Sequence, residues 1–117
     1  MANPERLIVG ISGASGVILG VRLLQALAET PIEAHLVMTK TAEVTLAYET
    51  EIKPEAVRKL ADKVYPVADL GAAISSGSFQ TRGMIIAPCS VRTLSEIATG
   101  VTSNLLTRAA DVVLKER

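Results

Sequence analysis

The chain has 117 residues, in which twelve Lys and Arg balance twelve Asp and Glu, and its only aromatic residues are Tyr48, Tyr65 and Phe79. One domain of this size removes roughly two thirds of its unfolded surface from water, while neutrality and scarce aromatics argue against nucleic-acid binding through a basic face or stacked bases. No stretch approaches the roughly 20 apolar residues of a membrane span, Met1 to Arg6 lacks signal-peptide character, and the lone Cys89 leaves no internal disulfide, so a cytoplasmic location is expected.

No repeat, low-complexity segment or interdomain linker divides residues 1–117, and strand and helix patterns alternate. Leu7 to Ile11 reads as a buried strand, after which Val17, Gly20, Val21, Leu24, Leu27 and Ala28 recur at helical spacing until Thr30 and Pro31 stop the helix. Ile32 to Met38 is a second strand, and Thr39 is placed to cap a helix running through Tyr48. Pro54 suits a first helical turn, which predicts a short helix over Pro54 to Ala61 before a weak strand near Val64. Met84 to Ala87 is the fourth strand. Ser90 can cap a helix from Val91 to about Ala98, and Ser103 or Asn104 can cap another reaching Lys115. This order implies an α/β fold, a parallel sheet covered by helices through right-handed crossovers.

Ligands of such sheets bind beyond the carboxyl ends of the strands, where the strand order reverses. Three loops are expected to meet there: the turn Gly10-Ile11-Ser12-Gly13-Ala14-Ser15-Gly16, Thr39, and Pro88-Cys89-Ser90-Val91-Arg92-Thr93. In the first turn, glycines allow close approach of the backbone, and the free N–H groups and dipole of the following helix suit a phosphate. The other reading is a glycine turn that merely packs helix on strand. The spacing Gly10, Gly13, Gly16 is not the G-x-G-x-x-G fingerprint, and Val37-Met38-Thr39-Lys40 carries no acid for a ribose, which together disfavour a nicotinamide dinucleotide. Cys89 has no nearby histidine partner and reads as a small buried thiol, and His35 as a structural strand residue.

Gly13-Ala14-Ser15-Gly16, His35 to Lys40, Glu49-Thr50, Ser75-Ser76-Gly77-Ser78, Pro88 to Thr93 and Thr107 to Arg117 closely resemble the UbiX-like flavin prenyltransferases, once described as aromatic acid decarboxylases. The resemblance spans essentially the whole chain. It implies a Rossmann-like or flavodoxin-like fold with helices on both faces and FMN as ligand. The implied reaction joins a dimethylallyl group from dimethylallyl monophosphate to N5 and C6 of reduced FMN. The implied recipient of the product is a UbiD-type decarboxylase, often in ubiquinone synthesis, and the implied assembly is a large homo-oligomer, commonly a dodecamer.

By this resemblance Gly13, Ala14 and Ser15 line the FMN site, with Ser15 assisting proton movement at N5; by position alone Ser15 is a helix-start hydroxyl. Thr39 and the turn Ser90, Val91, Arg92, Thr93 match further FMN contacts, although Thr39 also reads as a cap and Arg92 as a solvent-facing side chain. Glu49 matches a carboxylate near the prenyl site that moves a proton; alone it is one exposed acid at a helix end. Arg108 and Lys115, two helical turns apart with Asp111 between them, read as a solvated ion-pair stripe. The resemblance makes them holders of the substrate phosphate where subunits meet, with Asp111 orienting them.

The family continues beyond residue 117 with a further strand, an Arg-Glu-Thr-Pro segment, and a Tyr and an Arg that contact the prenyl phosphate. This chain also has no tryptophan. It is therefore expected to be one FMN-binding domain lacking the family's C-terminal portion, the amino-terminal piece of a longer protein cut after Lys115-Glu116-Arg117, with the Met84 to Ala87 strand left as an apolar edge. A non-catalytic FMN-binding fragment and a related flavin-dependent cysteine decarboxylase are the alternatives. The latter would use a histidine after the first helix and an Asn-containing loop in place of Pro88 to Thr93.

Overall fold

The computed structural model describes residues 5–116, so Met1 to Pro4, and Arg117 at the end of the last matching block, lie outside the described residues. Strands β1 (Arg6–Ile11), β2 (Glu33–Met38), β3 (Lys63–Tyr65) and β4 (Gly83–Ile86) form one all-parallel sheet in the order β3-β2-β1-β4. Helix α1 (Ile18–Leu27) connects β1 to β2, helices α2 (Lys40–Glu49) and α3 (Pro54–Arg58) connect β2 to β3, and α4 (Val91–Thr99) and α5 (Leu105–Glu116) follow β4. The arrangement is the parallel α/β sheet that the alternating pattern predicts, in the strand order of the Rossmann-like fold that the resemblance implies.

Strand periodicity sorts the side chains onto two faces. Val9 and Ile11 of β1 and Ala34, Leu36 and Met38 of β2 pack with Val17, Val21 and Leu24 of the first crossover and with Ala42, Leu46 and Val57. Ile8 and Val37 point the other way, against Leu105, Leu106 and Ala109 of α5 and Tyr65 and Ile74. Both faces of the central strands are covered, which is why β1 and β2 read as continuous apolar runs.

The expected elements all form, with small shifts at their ends. The helix after Pro54 stops at Arg58 rather than Ala61, and β4 ends at Ile86 rather than Ala87. A 3-10 turn over Ala73–Ser75 has no counterpart in the periodic pattern; three residues are too few to show one, and the turn is tied by Ser75 Oγ donating to the Leu70 and Ala72 carbonyls. Of the two candidate caps for α5, Asn104 is the one used, its Oδ1 accepting from the Thr107 N–H at 3.0 Å. Among the described residues, strand β4 is an outer strand paired only with β1, and Ile85 on it is 43% exposed.

Candidate active site

The chain goes from β1 through β2 to β3 on one side and returns to place β4 on the other side of β1, so the strand order reverses between β1 and β4. Beyond the carboxyl ends of these strands lies an open cleft of about 460 Å³. Gly13 from the β1–α1 turn, Thr39 to Thr41 at the start of α2, and Ser90, Arg92 and Thr93 at the start of α4 border it, with Glu96, Ser103 and Asn104 on a further side. The three expected loops therefore converge. A second cavity of similar volume sits at the opposite end of the sheet, beside Ile8, Phe79 and Gly83. It lacks this convergence of loops at the switch point.

Local rules build each wall. Thr39, in extended conformation, caps α2 by accepting from the Ala42 N–H at 3.1 Å, and its hydroxyl lies 3.0 Å from that of Thr41. Ser90 caps α4 by accepting from the Thr93 N–H at 3.1 Å, and its hydroxyl donates to Thr93 Oγ1. Thr39 and Ser90 are thus caps and cleft residues at once. A Cβ at Gly13 would lie 2.6 Å from Thr41 Cβ and 2.9 Å from the Thr41 carbonyl carbon, so glycine is required for the β1–α1 turn to close against α2.

The reading of that turn as an open phosphate cradle needs correction. The N–H groups of Gly16 and Val17, at the start of α1, donate to Glu49 Oε1 at 3.0 and 3.2 Å, and the Ser15 hydroxyl donates to Glu49 Oε2 at 2.9 Å. The anion at this helix start is a side chain of the chain itself. Ser15 does not cap α1; the N-cap is Val17, which offers no side-chain oxygen. Glu49 ends α2, where its own helix dipole is unfavourable, but the start of α1 supplies the compensating partial charge. The Ser15 hydroxyl foremost, then the Val17 and Gly16 amides, hold its carboxyl below the usual carboxylate range. Ser15 and Glu49, 34 positions apart, are brought together, two residues along the turn from Gly13.

Glu96 was not foreseen. Its carboxylate accepts from Ser103 Oγ at 2.7 Å and from Arg92 Nε at 3.1 Å, and these bonds, that from Ser103 first, lower its pKa. Arg92 keeps its side chain largely in water while bordering the cleft. An i,i+4 Arg–Glu spacing was the available signal, but nothing local tells a solvated pair from one at a cleft. Lys40, Thr41 and Val67 were likewise missed as lining residues. Ala14 and Val91 belong to the converging turns without bordering the cleft, and Val91 is exposed. Arg108 and Lys115 do not border it either. Lys115 Nζ pairs with Asp111 Oδ2 at 3.3 Å, and Arg108 is exposed one turn beyond Asn104. Cys89 is half-buried and burial pushes its thiol pKa up, while His35 is buried between Tyr65 Oη at 2.9 Å and Glu33 Oε1 at 3.1 Å. The burial of His35 agrees with its reading as a strand residue, whereas Cys89 is less buried than expected.

A four-stranded parallel sheet with this cleft at its switch point defines a Rossmann-like α/β protein, and the profile of the Flavoprotein family matches residues 1–117. The chain belongs to that family. Among its relatives, Flavin prenyltransferase UbiX of Escherichia coli strain K12 is 60% identical over 114 residues, covering 97% of this chain and 60% of the relative. The mitochondrial Flavin prenyltransferase PAD1 of Saccharomyces cerevisiae is 53% identical over 114 residues, covering 97% and 47%. A crystal structure of AnUbiX (PadA1) in complex with FMN and dimethylallyl pyrophosphate has a TM-score of 0.96 at 47% identity, covering 97% of this chain and 61% of that one. A dodecameric FMN-dependent UbiX-like decarboxylase from Escherichia coli O157:H7 has a TM-score of 0.94 at 54% identity, covering 96% and 61%. The chain spans about three fifths of the Escherichia coli enzyme and about half of the yeast one.

Proposed function

We propose that the cleft holds FMN and that the protein is a flavin prenyltransferase, moving a dimethylallyl group from dimethylallyl monophosphate to N5 and C6 of reduced FMN. The observation that carries this reading is the convergence of Gly13, Thr39 and the Ser90–Thr93 turn on one cleft, in a chain 60% identical to a flavin prenyltransferase. The residues present suit such a group: Gly13 leaves the backbone bare, Thr39, Ser90 and Thr93 supply hydroxyls, and Lys40 and Arg92 supply positive charge at its border.

When bound, reduced FMN supplies the nucleophilic N5 and C6 atoms. Gly13, Ala14, Ser15, Thr39 and Ser90 to Thr93 would hold it. Ser15 Oγ, whose own hydrogen points to Glu49, keeps its lone pairs free to accept a proton while passing that hydrogen to the Glu49 carboxylate. Glu49 is ionised at neutral pH and can receive it, and the hydrogen bonds that depress its pKa make it a weak base that returns the proton readily. Arg108 and Lys115 would neutralise the phosphate of the prenyl donor as it leaves, with Asp111 orienting Lys115. Because neither borders the cleft of its own chain, they would serve a site completed by another subunit, in a homo-oligomer such as a dodecamer. The prenylated flavin would pass to a UbiD-type decarboxylase in the cytoplasm.

Anaerobic incubation with reduced FMN and dimethylallyl monophosphate, followed by mass analysis of the released flavin, tests this reading. A prenylated flavin is expected. The position of Arg108 and Lys115 away from the cleft favours a second reading, flavin binding without turnover, for which retained but unmodified FMN would be the outcome. A protein that retains no FMN would overturn both.

A further inference from the structure

Ser12 is fully buried at the point where the strand order reverses, and its side chain joins the two turns that flank that point. Its Oγ donates to the Pro88 carbonyl at 2.8 Å and accepts from the Ser90 N–H at 2.7 Å, across 76 and 78 positions of sequence. Its own N–H donates to the same Pro88 carbonyl at 3.2 Å. One residue thus holds both sides of the Pro88-Cys89-Ser90 turn against the end of β1. Two features of the cleft depend on where that turn sits. Ser90 Oγ, the cap of α4, is carried by the peptide that Ser12 binds, and the direction of the first turn of α4, including Thr93, follows from the cap.

We propose that Ser12 is a positioning residue for ligand binding: it sets the separation and orientation of the β1–α1 and β4–α4 turns, and so tunes the cleft for the phosphate-bearing part of the ligand. The proposal rests on the reading of the cleft as an FMN site. Ser12 touches neither ligand nor reacting atoms; it acts through the Ser90 amide and the Pro88 carbonyl. Its removal would leave the Ser90 N–H without its acceptor and free the turn to move, while the apolar contacts on both sheet faces stay in place.

The test compares the wild-type protein with Ser12→Ala. It measures dissociation constants for FMN and for riboflavin, which lacks the phosphate, and the amide exchange of Ser90 in the absence of flavin. For Ser12→Ala, FMN affinity should fall about tenfold with riboflavin affinity changed less than about threefold, and Ser90 exchange should accelerate by a similar factor of about ten. A merely structural loss would weaken both flavins alike, and that result would overturn the proposal, as would unchanged FMN binding in a variant whose Ser90 amide is deprotected. Should Ser12→Ala not fold, Ser12→Cys keeps the shape with a weaker donor and acceptor, and the same drop in FMN preference over riboflavin is expected of it. Failure of the underlying reading looks different: the wild-type protein would bind neither flavin, while its Ser90 amide would still be protected relative to Ser12→Ala.

Discussion

Glu49 reaches from the last position of α2 to the start of α1, where its two oxygens accept three hydrogen bonds from Ser15, Gly16 and Val17. Each of those bonds favours the ionised carboxylate, so its pKa in the folded chain lies below that of the unfolded chain. Its contribution to stability is therefore complete above the ordinary carboxylate range and is lost as the pH falls through the depressed value. Melting temperature measured from pH 7 down to pH 3 should accordingly fall less steeply for Glu49→Gln than for the wild type. Parallel curves would mean that the contact does not couple to folding. The residue itself was legible in the sequence only through likeness to a family, because an acid at a helix end looks exposed and unfavourable. Its partner helix lies more than 30 positions away, beyond the reach of any local rule. Ser12 shows the same limit: a small hydroxyl inside a glycine turn gives no periodic signal of the distant turn it holds.

At the scale of the element, the helices were legible wherever one face is buried. Val17, Gly20, Val21, Leu24 and Leu27 recur at helical spacing because one stripe of α1 covers β1 and β2, and Leu24 in the middle of that stripe is fully buried. Leu24→Ala should cost about 2–5 kcal/mol of unfolding free energy, the transfer of its lost methyl groups plus the cavity left behind, as read from urea denaturation. A loss under 1 kcal/mol would indicate that the stripe repacks. Helix α4 differs. It is capped at both ends by Ser90 and by the left-handed Gly100, yet it buries only Thr93 and leaves Val91 and Leu94 exposed. Its existence follows from local chemistry, whereas of its large apolar residues only Ile97 is partly covered, beside Met84 and Ile86.

At the scale of the molecule, one part of the unburied apolar surface lies on the β4 side, with Ile85 at 43%, Leu94 at 60% and Val91 at 81% exposure, and another on α1 and α2, with Leu19, Val44 and Tyr48. An outer parallel strand followed by an apolar helix face is a surface that proteins cover. Together with the dodecameric relative, this supports the proposed homo-oligomer. Sedimentation of the wild-type protein should show a species several times the chain mass, and Leu94→Lys should shift it toward smaller species. A wild-type monomer soluble at high concentration would remove this support.

The amino-acid sequence by itself determined the alternation of strands and helices, the parallel sheet, the capping roles of Thr39 and Ser90, and the three loops at which a ligand site belongs. Those features follow from periodicity, capping chemistry and handed crossovers, all of which act over short stretches. Only the tertiary structure decided that Glu49, rather than an external phosphate, occupies the start of α1, that Glu96 holds Arg92 beside the cleft, and that Ser12 joins the turns. It also decided that Arg108 and Lys115 stay away from the cleft of their own chain. The physical reason is common to all of these. A hydrogen bond or ion pair between distant residues depends on where the packed sheet places their backbones, and a linear pattern of apolar and polar residues carries the packing but not the pairing.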